Sequence, residues 1–194
     1  MTNPDSTNEL TLRIKTGFIV ATGIGALVYT PIFVVGIFVI LLAFIGSLEF
    51  TEMLSKGNRN RIIKIPKWFL PGTSVLMGFG VLNGELWLHI TLILSALCWT
   101  CFELVFTKKN KLLEFTSLGF GLFGMLWIVW SIQHVTLIKS LPEGSNLLLL
   151  LIFVISFSDV AAYFGGKRFG KSLLAPNISP KKTWEGSFFG VVGG

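Results

Sequence analysis

Five stretches without a charged side chain dominate this sequence: residues 17–48, 68–84, 86–102, 115–138 and 144–158. An apolar segment of roughly 18 residues is long enough to cross a bilayer, and inside hydrocarbon the backbone must satisfy its own hydrogen bonds, which favours helices. The 194 residues are 52% hydrophobic and only 13% charged, whereas a soluble domain carries about 25% charged residues. That composition excludes a soluble globule, a disordered chain and a nucleic-acid binder. The expected fold is all-α: a polytopic transmembrane helical bundle forming a single integral-membrane domain over 1–194.

The run 17–48 is 32 residues long, too long for one comfortable span. Pro31, after Tyr29 and Thr30, suits a break between two helices. Spans are then expected near 12–29, 31–49, 67–83, 86–106, 113–134 and 146–165. Lys and Arg collect on the cytoplasmic side of short loops. Six crossings place fifteen of the sixteen basic residues on one side, leaving only Lys139 opposite. A single helix over 17–48 would separate Arg13 and Lys15 from the Lys56–Lys67 group. The net charge of +6 thereby becomes topology, with the N-terminus and the 166–185 loop cytoplasmic. Met1–Glu9 is polar, so no cleavable signal peptide is expected.

From Glu185 the chain opens a seventh apolar helix. Gly186, Gly190 and Gly194 recur every four residues, a small-residue seam that lets two helices approach closely. About ten residues cannot cross, so the chain is expected to be a fragment.

Three motifs compete for a functional reading. Gly165–Ser172 matches G-x-x-x-x-G-K-[ST], but a phosphate-binding loop of that kind follows a strand and opens a helix, and here a membrane-length run precedes it. Cys98-Trp-Thr-Cys101 has redox or half-zinc spacing, yet lies within an apolar helix with no second Cys/His pair. The third is Ser158–Gly186. Asp159 stands near the end of an apolar span, where an ionisable group is a functional candidate. Lys167, Arg168, Lys171, Lys181 and Lys182 follow, interleaved with glycines, Ser179 and Thr183. Cations, hydroxyls and exposed amides suit a polyphosphate. A basic loop resting on anionic headgroups has the same composition, although the order Ser179-Pro-Lys-Lys-Thr-Trp-Glu-Gly186 is more particular than that role requires.

At these residues the sequence resembles the phosphatidate cytidylyltransferase (CDP-diacylglycerol synthase) family. One family block is matched by Asp159, Ala162, Tyr163, Gly166, Lys167, Phe169, Gly170 and Lys171. A second is matched by Pro176, Ser179, Pro180, Lys182, Thr183, Trp184 and Gly186. The resemblance implies a multi-pass enzyme of the inner membrane. It would use CTP, phosphatidate and Mg²⁺ to make CDP-diacylglycerol and pyrophosphate, with a homodimer as the family-implied assembly. It assigns Asp159 and Lys182 to catalysis, and Lys167, Lys171, Ser179, Lys181, Thr183, Gly166 and Gly170 to substrate binding. Gly166 and Gly170 would supply tight turns near the phosphates. Asp159 would ligate Mg²⁺ or orient a lysine, the latter favoured because one carboxylate is a poor Mg²⁺ site. The family's acidic C-terminal signature does not occur before Gly194, so the 194-residue chain alone is expected to be inactive. Two other classes fit the composition: a transporter or lipid-binding scaffold, and a CTP-dependent lipid-alcohol kinase.

Overall fold

A computed structural model describes residues 16–17, 19–57, 65–106 and 111–194. Seven of the cations counted above (Arg13, Lys15, Arg59, Arg61, Lys64, Lys108 and Lys109) and the start of the 12–29 span lie outside the described residues. The helices are α1 (Ile19–Val28), α2 (Ile32–Gly57), α3 (Phe69–Leu82), α4 (Glu85–Phe106), α5 (Lys111–Gly124), α6 (Ser131–Ser140), α7 (Gly144–Phe169) and α8 (Trp184–Gly193). A π-helical turn, Met125–Trp130, joins α5 to α6 without a break. The all-α expectation needs one correction: β1 (Leu173–Ala175) and β2 (Ser179–Thr183) form an antiparallel hairpin between α7 and α8. The chain divides into two compact units, 1–142 and 143–194.

Four helices are long and apolar enough to cross a membrane: Ile32–Lys56, Glu85–Val105, Thr116–Ser140 and Gly144–Phe169. The chain is therefore a multi-pass membrane protein. The break at Pro31 is present, since the chain leaves helix after Val28 and re-enters it at Ile32. The other two expected spans are short. At a rise of 1.5 Å per residue, the 14 residues of α3 cover roughly 21 Å, less than the hydrocarbon core. Nine of those 14 residues are buried, so protein covers α3 and it needs no lipid-facing length.

Residues 1–142 are built around α3. Phe69, Leu70, Met77 and Val81 pack with Leu88 and Trp99 of α4 and with Met125 and Val129 of the π turn. Trp99 is fully buried. Its ring stacks on Phe69 at 4.4 Å and on Phe102 at 5.7 Å, and its Nε1–H donates to the Leu118 carbonyl at 3.3 Å. Gly121 makes room for the indole, since a Cβ there would collide with the ring.

The core also holds polar side chains, which a dry interior tolerates only when they are bonded. Hydroxyls of Ser47, Thr51, Thr73, Ser74 and Thr91 donate to carbonyls of their own helices, and Gln133 Nε2 donates to the Ser74 carbonyl at 3.2 Å. Lys139, the one cation off the basic side, donates to the carbonyl of Val28, the last residue of α1, at 2.6 Å. A cation at a helix C-terminus is well placed against the helix dipole.

Replacing Trp99 with Ala leaves a large void and removes the indole bond to the Leu118 carbonyl. The expected loss is about 3–5 kcal/mol, read from denaturant unfolding of the detergent-solubilised protein, with Trp99→Phe costing clearly less.

Candidate functional site

The second unit is α7, the hairpin and α8. The two helices lie together because glycines line both sides. A Cβ on Gly186 would stand 3.0 Å from the Ala162 carbonyl oxygen and 3.0 Å from Gly166 Cα, and one on Gly190 would meet the Ala162 methyl at 3.1 Å. A Cβ on Gly165 would run into the Phe189 ring. Ser158 Oγ donates across the seam to the Gly190 carbonyl at 2.8 Å. The spacing of Gly186, Gly190 and Gly194 is thus a packing device.

This reassigns two predicted phosphate-loop residues. Gly166 lies within α7, whose helix runs to Phe169, so the expected 166–185 loop is helix, hairpin and helix. Gly170 is the C-cap of α7. A Cβ there would strike the Gly166 carbonyl and sit 2.8 Å from Thr183 Oγ1 and Cγ2. Both glycines admit Thr183 against the end of α7. The nucleotide-loop match at Gly165–Ser172 is removed by the same geometry, because its first residues are helical and no strand precedes them among the described residues.

The hairpin turns at Ala175–Ile178, where Ile178 N–H donates to the Ala175 carbonyl at 3.1 Å. Pro176 occupies the turn position whose backbone angle its ring already sets. Leu173 pairs with Thr183 and Ala175 with Ser179, so two residues of advance along β1 meet four along β2 and the ladder is irregular between the two pairs. Lys181 and Lys182 lie in that irregular stretch, and both are exposed.

Thr183 closes the hairpin and starts α8. Its Oγ1 accepts the Gly186 N–H at 3.2 Å as an N-cap, leaving the hydroxyl proton to donate elsewhere. Glu185, which sequence reasoning passed over, lies one turn into α8. Its carboxylate accepts the backbone N–H of Lys171 at 3.1 Å and that of Ser172 at 3.3 Å, while Trp184 N–H donates to the Ser172 carbonyl at 3.0 Å. The available signal was a Thr cap followed by an acid in the first helical turn. Hydrogen bonds from its own backbone N–H and then from those of Lys171 and Ser172 hold the Glu185 carboxyl below the usual carboxylate range.

The cations fall into two groups. Lys167 lies over the Tyr163 ring at 5.9 Å and Arg168 over the Phe169 ring at 5.7 Å. Lys171, Lys181 and Lys182 are exposed, and among the described residues their side chains have no acidic partner. Asp159 is exposed on α7, seven residues before Gly166, or roughly 10 Å along the helix axis. The structure does not bring it to the hairpin lysines. Among the described residues no group of three or more His, Cys, Asp or Glu side chains could hold a metal, so the carboxylate of Asp159 does not by itself make a Mg²⁺ site. Cys98 and Cys101 are free and exposed. His89 and His134 each use Nδ1 on a carbonyl of their own helix, at 2.8 and 2.9 Å.

The chain matches the model of the cytidylyltransferase family over residues 11–194 and belongs to that family. It is 40% identical over 74 residues to phosphatidate cytidylyltransferase of Pseudomonas aeruginosa, covering 38% of this chain and 26% of that one. It is 52% identical over 60 residues to phosphatidate cytidylyltransferase of Aquifex aeolicus, covering 31% and 23%. To the uncharacterized protein YnbB of Escherichia coli it is 26% identical over 192 residues, covering 95% of this chain and 61% of that one. The chain thus matches about a quarter to three-fifths of the length of these relatives.

Gly186→Ala is expected to cost about 1–3 kcal/mol, because two of the three atoms that its methyl meets, the Ala162 carbonyl oxygen and Gly166 Cα, are backbone and cannot rotate away. Gly119→Ala, with open space around its Cβ, should be neutral or slightly stabilising. Thermal unfolding in detergent separates the two.

Proposed function

We propose that the chain takes part in phosphatidate cytidylyl transfer, converting CTP and phosphatidate into CDP-diacylglycerol and pyrophosphate. The observation that carries this reading is the hairpin at the end of a membrane-length helix, presenting Lys171, Lys181 and Lys182 without acidic partners among the described residues. Both substrates are polyanions, one dissolved and one held in the bilayer, and a cationic element at the helix end meets both. Family membership and the named relatives support the same activity.

In the proposed reaction a phosphate oxygen of phosphatidate attacks the α-phosphorus of CTP. A new P–O bond forms as the bond to the β-phosphate oxygen breaks, and pyrophosphate departs with that electron pair. Such chemistry depends mainly on positioning and charge neutralisation. Lys181 and Lys182, adjacent and exposed on β2, would compensate phosphate charge, with Lys182 the catalytic contact. Ser179 and the free proton of the Thr183 hydroxyl would donate to phosphate oxygens. Lys171 and Lys167 would add positive potential near the hairpin. Mg²⁺ is proposed to arrive with the triphosphate, with Asp159 the carboxylate that would meet it or orient a lysine.

The orientation proposed is an inner-membrane protein with its N-terminus and hairpin in the cytoplasm, with α1 and α3 completing six crossings. The asymmetry of Lys and Arg supports it.

Lys182→Ala should weaken CTP binding and labelled-CTP incorporation into lipid by about 10–100-fold in the membrane-embedded protein, the effect of losing one charge-assisted hydrogen bond. Unchanged binding and turnover would refute the lysine's role. Topology is checked separately: a cysteine at Ile178, 89% exposed at the hairpin tip, in a Cys98/Cys101-free background should react with an impermeant maleimide in inverted vesicles and stay unlabelled in intact spheroplasts.

A further inference from the structure

We propose that Glu185 is a positioning residue that holds the Lys171–Ser172 segment against the first turn of α8 and keeps the hairpin cations set for an anionic ligand. This rests on the cytidylyltransferase reading above and adds to it a residue that touches no substrate.

Three observations carry the assignment. Both carboxylate oxygens of Glu185 face backbone donors: Lys171 N–H reaches Oε2 at 3.1 Å, and Ser172 N–H lies 3.3 Å from each oxygen. The tie is answered from the other side by Trp184 N–H, which donates to the Ser172 carbonyl at 3.0 Å. The entry and the exit of the hairpin are therefore joined by bonds running in both directions. An acid this close to Lys171, Lys181 and Lys182 in sequence would ordinarily neutralise one of them. Here its charge is directed at amides, and the three ammonium groups keep no acidic partner among the described residues.

The amides that Glu185 binds are exposed. Water replaces the carboxylate when it is removed, so the fold loses little. What is lost is the fixed path of the backbone that carries Lys171 and sets the base of β2. A positioning role therefore predicts impaired ligand binding with a nearly unchanged fold, whereas a purely structural role predicts the reverse.

The test uses the whole chain in lipid nanodiscs, as wild type, Glu185→Ala, Glu185→Gln and Lys182→Ala. Three quantities are measured: amide hydrogen exchange at residues 171–172, affinity for CTP and for pyrophosphate, and the thermal midpoint. Glu185→Ala should speed exchange at 171–172 by at least about tenfold and weaken both ligands about tenfold, with the midpoint shifting by only a few degrees. Glu185→Gln keeps one acceptor oxygen and should recover part of both losses. Unchanged exchange in Glu185→Ala overturns the clamp. Faster exchange with wild-type affinities overturns its positioning role. Weaker binding in step with a collapsed midpoint, without recovery in Glu185→Gln, reduces Glu185 to a structural part and also overturns the proposal. A wild-type chain that binds neither ligand, like Lys182→Ala binding as wild type, refutes the substrate reading itself, which the exchange measurement does not share.

Discussion

The close approach of α7 and α8 is the contact on which the cationic hairpin depends. Gly166 and Gly186 bring two backbones so near that no methyl fits between them. That proximity lets Thr183 sit against the end of α7 while capping α8. Any larger residue at these positions would push the helix ends apart and open the base of the hairpin. In lipid, where helices gain little by hiding apolar surface from one another, such backbone contact is a main source of association.

Electrostatics then acts on this frame with few parts. Aromatic rings lie under Lys167 and Arg168, a backbone carbonyl receives Lys139, and amides receive the carboxylate of Glu185. Each of these charges has a local partner whose partial charge is fixed by covalent structure. The hairpin lysines are the exception. A polar group held without a counter-charge is costly to bury but inexpensive at a surface, and Lys171, Lys181 and Lys182 are all exposed. Packing gains nothing from charge left open at the foot of an apolar helix.

Much of this was legible in the sequence, for reasons that differ by element. Pro31 announced the break after α1 because proline cannot donate the hydrogen bond that a continuing helix needs. The glycine period of α8 announced its packing partner. Helix ends were misjudged wherever charge was taken as a stop: α2 continues past Glu49 to Gly57, supported by the Glu52–Lys56 ion pair at 2.7 Å, and α7 carries Lys167 and Arg168 in its last turn. Charge marks where apolar surroundings end, and a helix can run on beyond that point. The hairpin was invisible because Ser-Pro-Lys-Lys-Thr has none of the β-branched alternation that announces a strand. Its pairing is imposed by the turn at Pro176 and by the closure through Ser172, Trp184 and Glu185. The grouping of the candidate site residues was not readable. The irregular pairing of β2 surrounds Lys181 and Lys182, and seven helical residues separate Asp159 from Gly166.

β2 ends at Thr183 and α8 begins at Trp184, so no linker separates the strand from the helix. A joint without a linker ties the end of the strand to the first turn of the helix, so the position of Lys181 and Lys182 is set within three residues of where α8 starts.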